Sequence, residues 1–201
     1  CVVNHIGSLV ASKSKKIIKK KINSKNINFG FIGGVGYYKG LHVLIKAYQN
    51  LPHKEKMKSE VNIYGLIAKN YSETLNNLID KIDIKFKKRL KLHGKYNSSS
   101  LNSICNSFDI SVIPSLCADT APQTIFESFS YKKPIIAPKI GGFPDFIKHK
   151  KNGLIYKSGD HKALSKLMSY IIKNPKKINE YKKKINAIKT MKKNVEELIM
   201  I

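Results

Sequence analysis

The stretch Asp109-Ile-Ser-Val-Ile-Pro-Ser-Leu-Cys-Ala-Asp-Thr-Ala-Pro-Gln-Thr-Ile-Phe-Glu127 decides the fold of this chain. Its apolar beginning predicts a buried strand over 109–114, and the small polar loop that follows carries Asp119. Pro122 suits the first turn of a helix, because its missing N–H would be unpaired there in any case, and Thr120 is a suitable cap. Asp119 therefore lies just outside the N-terminus of a predicted helix.

The start of this helix, which is predicted over 122–132, is a candidate anion site. The first N–H groups of a helix have no partner within it, and such an end attracts phosphate. Here these groups lie around Ala121 to Thr124 and point back toward the loop, and Glu127 follows between one and two turns into the helix. An apolar strand over 134–138 and a turn at Gly141-Gly142 come next, so the helix is one arm of a strand–helix–strand unit.

This arrangement resembles the nucleotide-sugar site of retaining glycosyltransferases of the GT-B fold, in particular glycosyltransferase family 4, the glycosyl transferases group 1. Members of that family carry two acidic residues with seven between them, then a small-residue helix, Gly-x-Pro-Val-Ile and Gly-Gly. Asp119 and Glu127 have that spacing. The rest is matched by Tyr131-Lys-Lys-Pro134-Ile-Ile, with Lys133 where the family usually has Gly, by Gly141-Gly142 and by Asn152-Gly153-Leu-Ile-Tyr.

Strands and helices alternate along the chain. Strands are predicted at 28–34, 60–65, 89–94, 109–114 and 134–138, and helices at 41–51, 72–84, 98–107, 122–132 and 161–173. Alternation at this spacing implies a parallel sheet with helices on both faces. The predicted fold class is therefore α/β with a Rossmann-like parallel sheet, which the resemblance makes one half of a GT-B fold.

The 201 residues suffice for one domain, whereas a complete GT-B enzyme has two Rossmann-like domains with the active site in the cleft between them. Residues 1–26 are expected to be an interdomain remnant and basic linker, 27–175 the nucleotide-sugar-binding domain, and 176–201 a Lys-rich helical extension. The chain begins with Cys1 rather than Met, which favours a fragment or a processed chain from which the N-terminal GT-B domain is absent.

The formal net charge is +25, from 38 Lys and Arg against 13 Asp and Glu. Nucleic acid and anionic membrane surfaces are the usual partners of such a chain. Arg occurs only at Arg89, however, which indicates compositional drift rather than selection for phosphate recognition, so nucleic acid is the less favoured partner. Weak attraction to an anionic membrane face needs no specific geometry and stays open.

The cysteines Cys1, Cys105 and Cys117 show neither paired nor metal-ligand spacing, which favours a reducing compartment. No apolar run in the sequence approaches the ~20 residues of a membrane span. The expected location is therefore the cytoplasm. Peripheral attachment to the inner face of the membrane is the alternative that stays open.

The apolar run from Asn28 ends in Gly33 and Gly34, and Lys39 follows six residues after Gly33. Glycines let the backbone approach a diphosphate closely, and a lysine supplies the counter-charge. The pairing of Gly33 with Lys39-Gly40 resembles the family's Gly-Arg-x-x-x-x-Lys-Gly loop, but Gly34 stands where many members have Arg. One of the two cations expected at the diphosphate is therefore missing.

Ligands of parallel α/β sheets bind beyond the carboxyl ends of the strands, where Gly33 to Lys39, Gly94-Lys95, Asp119 and Gly141-Gly142 are expected. The resemblance assigns Glu127 to the ribose hydroxyls, Asp119 to the donor sugar and Lys39 to the departing diphosphate. The predicted catalytic residues are Lys39 and Asp119, and the predicted donor-binding residues are Gly33, Gly34, Lys39, Gly94, Asp119, Thr120, Ala121, Pro122, Gln123, Thr124 and Glu127. No metal or other cofactor is expected, because the helix end and the lysine replace it and no Asp-x-Asp occurs.

The resemblance thus predicts a domain that binds a nucleotide diphosphate sugar, for retaining transfer of a hexose-type sugar to a glycan or lipid-linked acceptor. This half is expected to be inactive in isolation, because the family's catalytic histidine belongs to the N-terminal domain. Two alternatives stay open. One is a non-catalytic nucleotide-sugar binding module or degenerate subunit, which Gly34 and Asp119, shorter than the family's usual Glu, make conceivable. The other is a basic membrane- or nucleic-acid-associated protein. Taken alone, Asp119 is equally consistent with an ordinary helix-capping carboxylate and Glu127 with a solvated helix residue.

Overall fold

The computed structural model of the protein describes residues 26–186, together with Glu196 and Ile199. The strands in these residues are β1 (Ile27–Ile32), β2 (Ser59–Tyr64), β3 (Leu90–Gly94), β4 (Ile110–Val112), β5 (Ile135–Pro138) and β6 (Gly153–Tyr156). They form one sheet in the order β3-β2-β1-β4-β5-β6. The chain therefore builds outward from β1 in one direction, then returns beside β1 and builds outward in the other, which is the doubly wound order of nucleotide-binding sheets.

Helices connect the strands and cover both faces of the sheet. They are α1 (Leu41–Gln49), α2 (His53–Lys56), α3 (Lys69–Asp80), α4 (Ile84–Lys87), α5 (Leu101–Ser107), α6 (Gln123–Ser130), α7 (Phe143–Phe146), α8 (His161–Lys173) and α9 (Lys176–Lys183), with short 3-10 turns at Tyr37–Lys39 and Ser98–Ser100. Every neighbouring pair of strands in the sheet is parallel. The predicted α/β fold with a Rossmann-like parallel sheet is therefore confirmed.

The two faces of the sheet have separate cores. Ile27, Phe29 and Phe31 of β1 are buried with residues of α1, α3 and α8 on one face. Ile135 and Ala137 of β5 are buried with residues of α6 on the other face. Because both faces are covered, these strands read in the sequence as nearly continuous apolar runs.

Two predicted helices are each divided into two pieces in the structure. The helix expected over 72–84 is α3, which ends at Asp80, and α4 is separate because the Asp83 carboxylate caps it, accepting the N–H of Lys85 at 3.1 Å. The helix expected over 98–107 begins as a 3-10 turn, and no side-chain hydrogen bond from Ser100 caps α5. The Asp83 cap marks the start of α4, whereas no side-chain cap marks the start of α5, and residue periodicity reveals neither boundary.

The described part of the Lys-rich C-terminal segment packs on the domain. In α9, Ile178 and Tyr181 are buried in the same core as α1, and the Lys132 ammonium donates to the carbonyl of Ile185 at 2.6 Å. The linker expected over 1–26 lies outside the described residues except for Asn26, and the predicted division into three parts stays a prediction. None of the helices in the described part of the chain is long and apolar enough to cross a membrane.

Gly30 in β1 is a sensitive test of this packing. A Cβ on Gly30 would lie 2.2 Å from Cγ of the fully buried Phe108 ring. Gly30→Ala is therefore expected to lower the free energy of unfolding by roughly 1–3 kcal/mol, the usual cost of overpacking a filled core. Urea unfolding followed by circular dichroism measures this change.

Gly36→Ala is the matched control, because nothing lies within 4 Å of a Cβ at that position and its backbone is extended. Its free energy of unfolding is expected to stay within about 0.5 kcal/mol of the parent value. Equal unfolding midpoints for Gly30→Ala and the parent protein would contradict the packing of β1 against Phe108.

Candidate functional site

A cavity of about 440 Å³ opens where β1 and β4 end. These strands are neighbours, but the chain continues from β1 to α1 on one face of the sheet and from β4 to α6 on the other, so the two loops diverge. We call this space the β1/β4 cavity. Its lining consists of Phe31, Ile32, Gly33, Gly34, Lys39, Tyr96, Ile113, Ser115, Asp119, Ala121, Pro122, Gln123, Thr124, Glu127 and Phe143.

Most of the predicted donor-binding residues line the β1/β4 cavity, and two do not. Thr120 is exposed and absent from the lining. Gly94 lies instead in a separate depression of about 270 Å³, beside Leu66 and Leu92. The reason is that β3 is the edge strand, with β2 between it and β1, so Gly94 itself lies away from the crevice, which the following loop reaches through Tyr96.

The start of α6 forms one wall of the cavity. The helix begins at Gln123 rather than at 122, its N-cap is Pro122, and no side chain caps it, so the expected cap at Thr120 is wrong. The Asp119 carboxylate instead accepts the N–H of Ala121 at 3.1 Å, which closes a turn just before the helix. The N–H groups of Gln123 and Thr124 have no acceptor within the helix and belong to residues that line the cavity.

The Gly141-Gly142 turn holds the loop that carries Asp119. The Gly142 N–H donates to the Asp119 carbonyl at 2.8 Å. A Cβ on Gly142 would lie 2.1 Å from the carbonyl oxygen of Thr120, so only glycine allows this approach. The Gly-Gly pair is therefore a structural support of the cavity rather than part of its lining.

Lys39 stands at the end of the 3-10 turn that follows β1. This turn is joined to the loop after β4, because the Leu116 N–H donates to the Tyr38 carbonyl at 2.8 Å. The Lys39 ammonium has no ion pair or hydrogen bond among the described residues. With Gly34 where many family members have Arg, Lys39 is the single cation in the lining that the structure describes.

Tyr96 is a lining residue that sequence reasoning missed. It is half-buried against Leu101, Phe108 and their neighbours, and burial raises its pKa to about 12, with the Glu127 carboxylate as the second cause. The phenol and the Glu127 carboxylate both line the cavity. Tyr96 lies two residues beyond Gly94 in an irregular segment, where no periodic pattern indicates which way a side chain points.

No group of three or more His, Cys, Asp or Glu side chains in the described part of the chain is arranged to hold a metal ion. The polar groups of the β1/β4 cavity include one ammonium, the N–H groups at the start of α6, and the carboxylates of Asp119 and Glu127. This set can bind an anion at one place and hydroxyl groups at another.

Comparisons with known proteins agree with this description. The sequence matches the model of the family glycosyl transferases group 1 over residues 12–189. An uncharacterized glycosyltransferase of Methanocaldococcus jannaschii is 26% identical over 124 residues, which is 62% of this chain and 30% of that protein.

Solved structures share the fold. The C-terminal domain of a glycosyl transferase group 1 family protein (LpcC) of Francisella tularensis has a TM-score of 0.68 at 19% identity and covers 79% of this chain and 81% of that chain. HepE of Anabaena, in complex with UDP and glucose, has a TM-score of 0.74 at 18% identity and covers 88% of this chain and 48% of that chain. This chain thus spans about half the length of HepE, and its match to the Methanocaldococcus jannaschii protein covers 30% of that protein's length.

The family model covers most of the chain, and the fold matches an isolated C-terminal domain of a family member along most of both chains. The predicted resemblance to the C-terminal domain of these enzymes is thereby confirmed. The chain belongs to the glycosyl transferases group 1 family.

Proposed function

We propose that this chain is the donor-binding half of a retaining glycosyltransferase. It binds a nucleotide diphosphate sugar in the β1/β4 cavity, and the complete enzyme transfers a hexose-type sugar to a hydroxyl of a glycan or lipid-linked acceptor. The observation that carries the proposal is the lining of that cavity, where an ammonium, a helix start with unpaired N–H groups and two carboxylates occur together.

The diphosphate binds between Lys39 and the start of α6. The N–H groups of Gln123 and Thr124 and the positive end of the helix dipole favour a negative charge there. When the bond to the sugar breaks, the diphosphate gains negative charge, so these groups bind the transition state more strongly than the ground state. This role needs no metal ion.

The nucleoside binds at the Glu127 end of the cavity. A carboxylate can accept hydrogen bonds from both hydroxyls of a ribose, and Tyr96 of the same lining provides an aromatic wall. Asp119, half-buried at the mouth of the loop before α6, accepts a hydrogen bond from a hydroxyl of the donor sugar. HepE of Anabaena has been solved with UDP and with UDP-glucose, which supports UDP as the first nucleotide to test.

The lining that the structure describes contains a single cation, Lys39. This observation favours a second candidate function, a module that binds the nucleotide sugar without catalysing its transfer. In that case the N–H groups of α6 and Lys39 suffice for binding but not for departure of the diphosphate. Binding and turnover therefore have to be measured separately.

Calorimetric titration of this chain with UDP, GDP and ADP tests the binding step. We expect saturable binding of one nucleotide, weakened at least tenfold by Glu127→Ala, which corresponds to about 1.4 kcal/mol or more. Glu73→Ala is the matched control, because Glu73 is an exposed glutamate of α3 outside the cavity lining. The affinity of this variant for the nucleotide should equal that of the parent. Equal affinities for Glu127→Ala and the parent would contradict the assigned role of Glu127.

Turnover of the full-length enzyme tests the catalytic step. Lys39→Ala is expected to lower kcat more than tenfold, since the loss of one charge at the departing diphosphate raises the barrier by more than ~1.4 kcal/mol. Lys54→Ala, an exposed lysine of α2, is the control and should leave kcat unchanged. If the parent binds the nucleotide sugar but transfers nothing with its N-terminal half present, the non-catalytic module is the correct assignment.

A further inference from the structure

A second cavity, of about 360 Å³, lies between α1 and α3. We call it the α1/α3 cavity, and its lining is Tyr37, His42, Lys46, Thr74, Asn77 and Leu78. It shares no residue with the lining of the β1/β4 cavity, although Tyr37 belongs to the same 3-10 turn as Lys39. Its volume is within the range of about 300–1,000 Å³ that is usual for small-molecule sites.

The hydrogen bonds of Tyr71 determine where His42 carries its proton. The Tyr71 hydroxyl oxygen accepts the backbone N–H of His42 at 3.1 Å, and the same hydroxyl is hydrogen-bonded to His42 Nδ1. Tyr71 is buried, and among the described residues its hydroxyl proton has no other acceptor than Nδ1. Nδ1 is thus the acceptor, so the neutral imidazole has its proton on Nε2. Burial, and secondly the charge of Lys46, lower the pKa of His42, which favours this neutral form at pH 7.

The remaining polar groups of the α1/α3 cavity are also available to a ligand. The Lys46 ammonium, the Thr74 hydroxyl and the Asn77 amide have no hydrogen-bond or ion-pair partner in the described part of the chain. Among the described residues no Asp or Glu lines this cavity. An ammonium and an imidazole N–H without a neighbouring carboxylate favour an anionic ligand, and a phosphate accepts hydrogen bonds from several donors at once.

Tyr37 adds an aromatic wall to these donors. Its ring stacks on the imidazole of His42 with a centroid distance of 4.9 Å and an interplanar angle of 19°, and 56% of Tyr37 is exposed. Leu78 provides a second apolar contact. Because the imidazole covers one face of the Tyr37 ring, the opposite, exposed face is the one that suits the C–H face of a sugar ring.

We infer that the α1/α3 cavity binds a sugar phosphate. Its phosphate group accepts hydrogen bonds from Lys46 and His42 Nε2, and its sugar ring lies against Tyr37. The inference goes beyond the proposed donor site, because every residue that it uses lies outside the β1/β4 cavity.

Titration of the chain with glucose 6-phosphate, followed by amide NMR on nitrogen-15-labelled protein, tests the inference. The largest shifts are expected at His42, Lys46, Thr74 and Asn77. Lys46→Met is expected to weaken binding about tenfold, because one charge-assisted hydrogen bond is lost. The matched control is Lys54→Met, which removes an exposed lysine that lines neither cavity and should leave the affinity unchanged.

Two further ligands separate the contributions of phosphate and sugar. Glucose is expected to bind much more weakly than glucose 6-phosphate, and Tyr37→Ala is expected to weaken the sugar phosphate but not inorganic phosphate. Shifts confined to Gly33, Thr124 and their neighbours, or an unchanged affinity of Lys46→Met, would overturn the inference. If glucose binds as tightly as glucose 6-phosphate, the role given to the phosphate group is wrong. If inorganic phosphate binds as tightly as glucose 6-phosphate, the role given to Tyr37 is wrong.

The tautomer of His42 gives an independent check in the protein without ligand. Long-range proton–nitrogen spectra of the imidazole should show the proton on Nε2, and Tyr71→Phe should weaken this preference by removing the hydrogen bond to Nδ1. A proton on Nδ1 in the parent protein would contradict the arrangement of donors on which the inference rests.

Discussion

The parallel pairing of β1 with β4, through Phe29 with Ile110 and Gly30 with Ser111, is the contact on which the main site depends. From this pair the chain continues to helices on opposite faces of the sheet, and the loops must separate. The β1/β4 cavity is the space between them, so its position follows from the strand order and not from any single side chain. A shift of β1 against β4 would change the distance between Lys39 and Glu127.

Backbone contacts hold the two sides of that cavity. The Leu116 N–H donates to the Tyr38 carbonyl, and the Gly142 N–H donates to the Asp119 carbonyl, both at 2.8 Å. Neither contact uses a side chain that lines the cavity. The framework and the lining are therefore separate, as in other sites where loops on a rigid sheet carry the functional groups. The same 3-10 turn contributes Lys39 to one cavity and Tyr37 to the other, which brings the two close along the chain.

Local signals in the sequence predict the first five strands, five of the longer helices and the residues at the ends of β1 and β4, but not β6 or the short helices α2 and α7. Glycine pairs, Pro122 and apolar runs determine turns, helix starts and strands through contacts within a few residues, so their effects can be predicted without knowledge of the fold. The expected convergence of strand ends places Gly94 at the site, whereas the edge position of β3 keeps Gly94 apart. Tyr96 and the His42–Tyr71 pair depend on contacts between distant segments, 29 residues apart in the latter case, and no local pattern reveals them.

A crystal structure of this chain with UDP tests the central claim most directly. The diphosphate should accept hydrogen bonds from the N–H groups of Gln123 and Thr124 with the Lys39 ammonium beside it, and the ribose hydroxyls should contact Glu127. UDP bound outside the β1/β4 cavity, for example in the depression beside Leu92, would contradict the assignment of this cavity as the donor site.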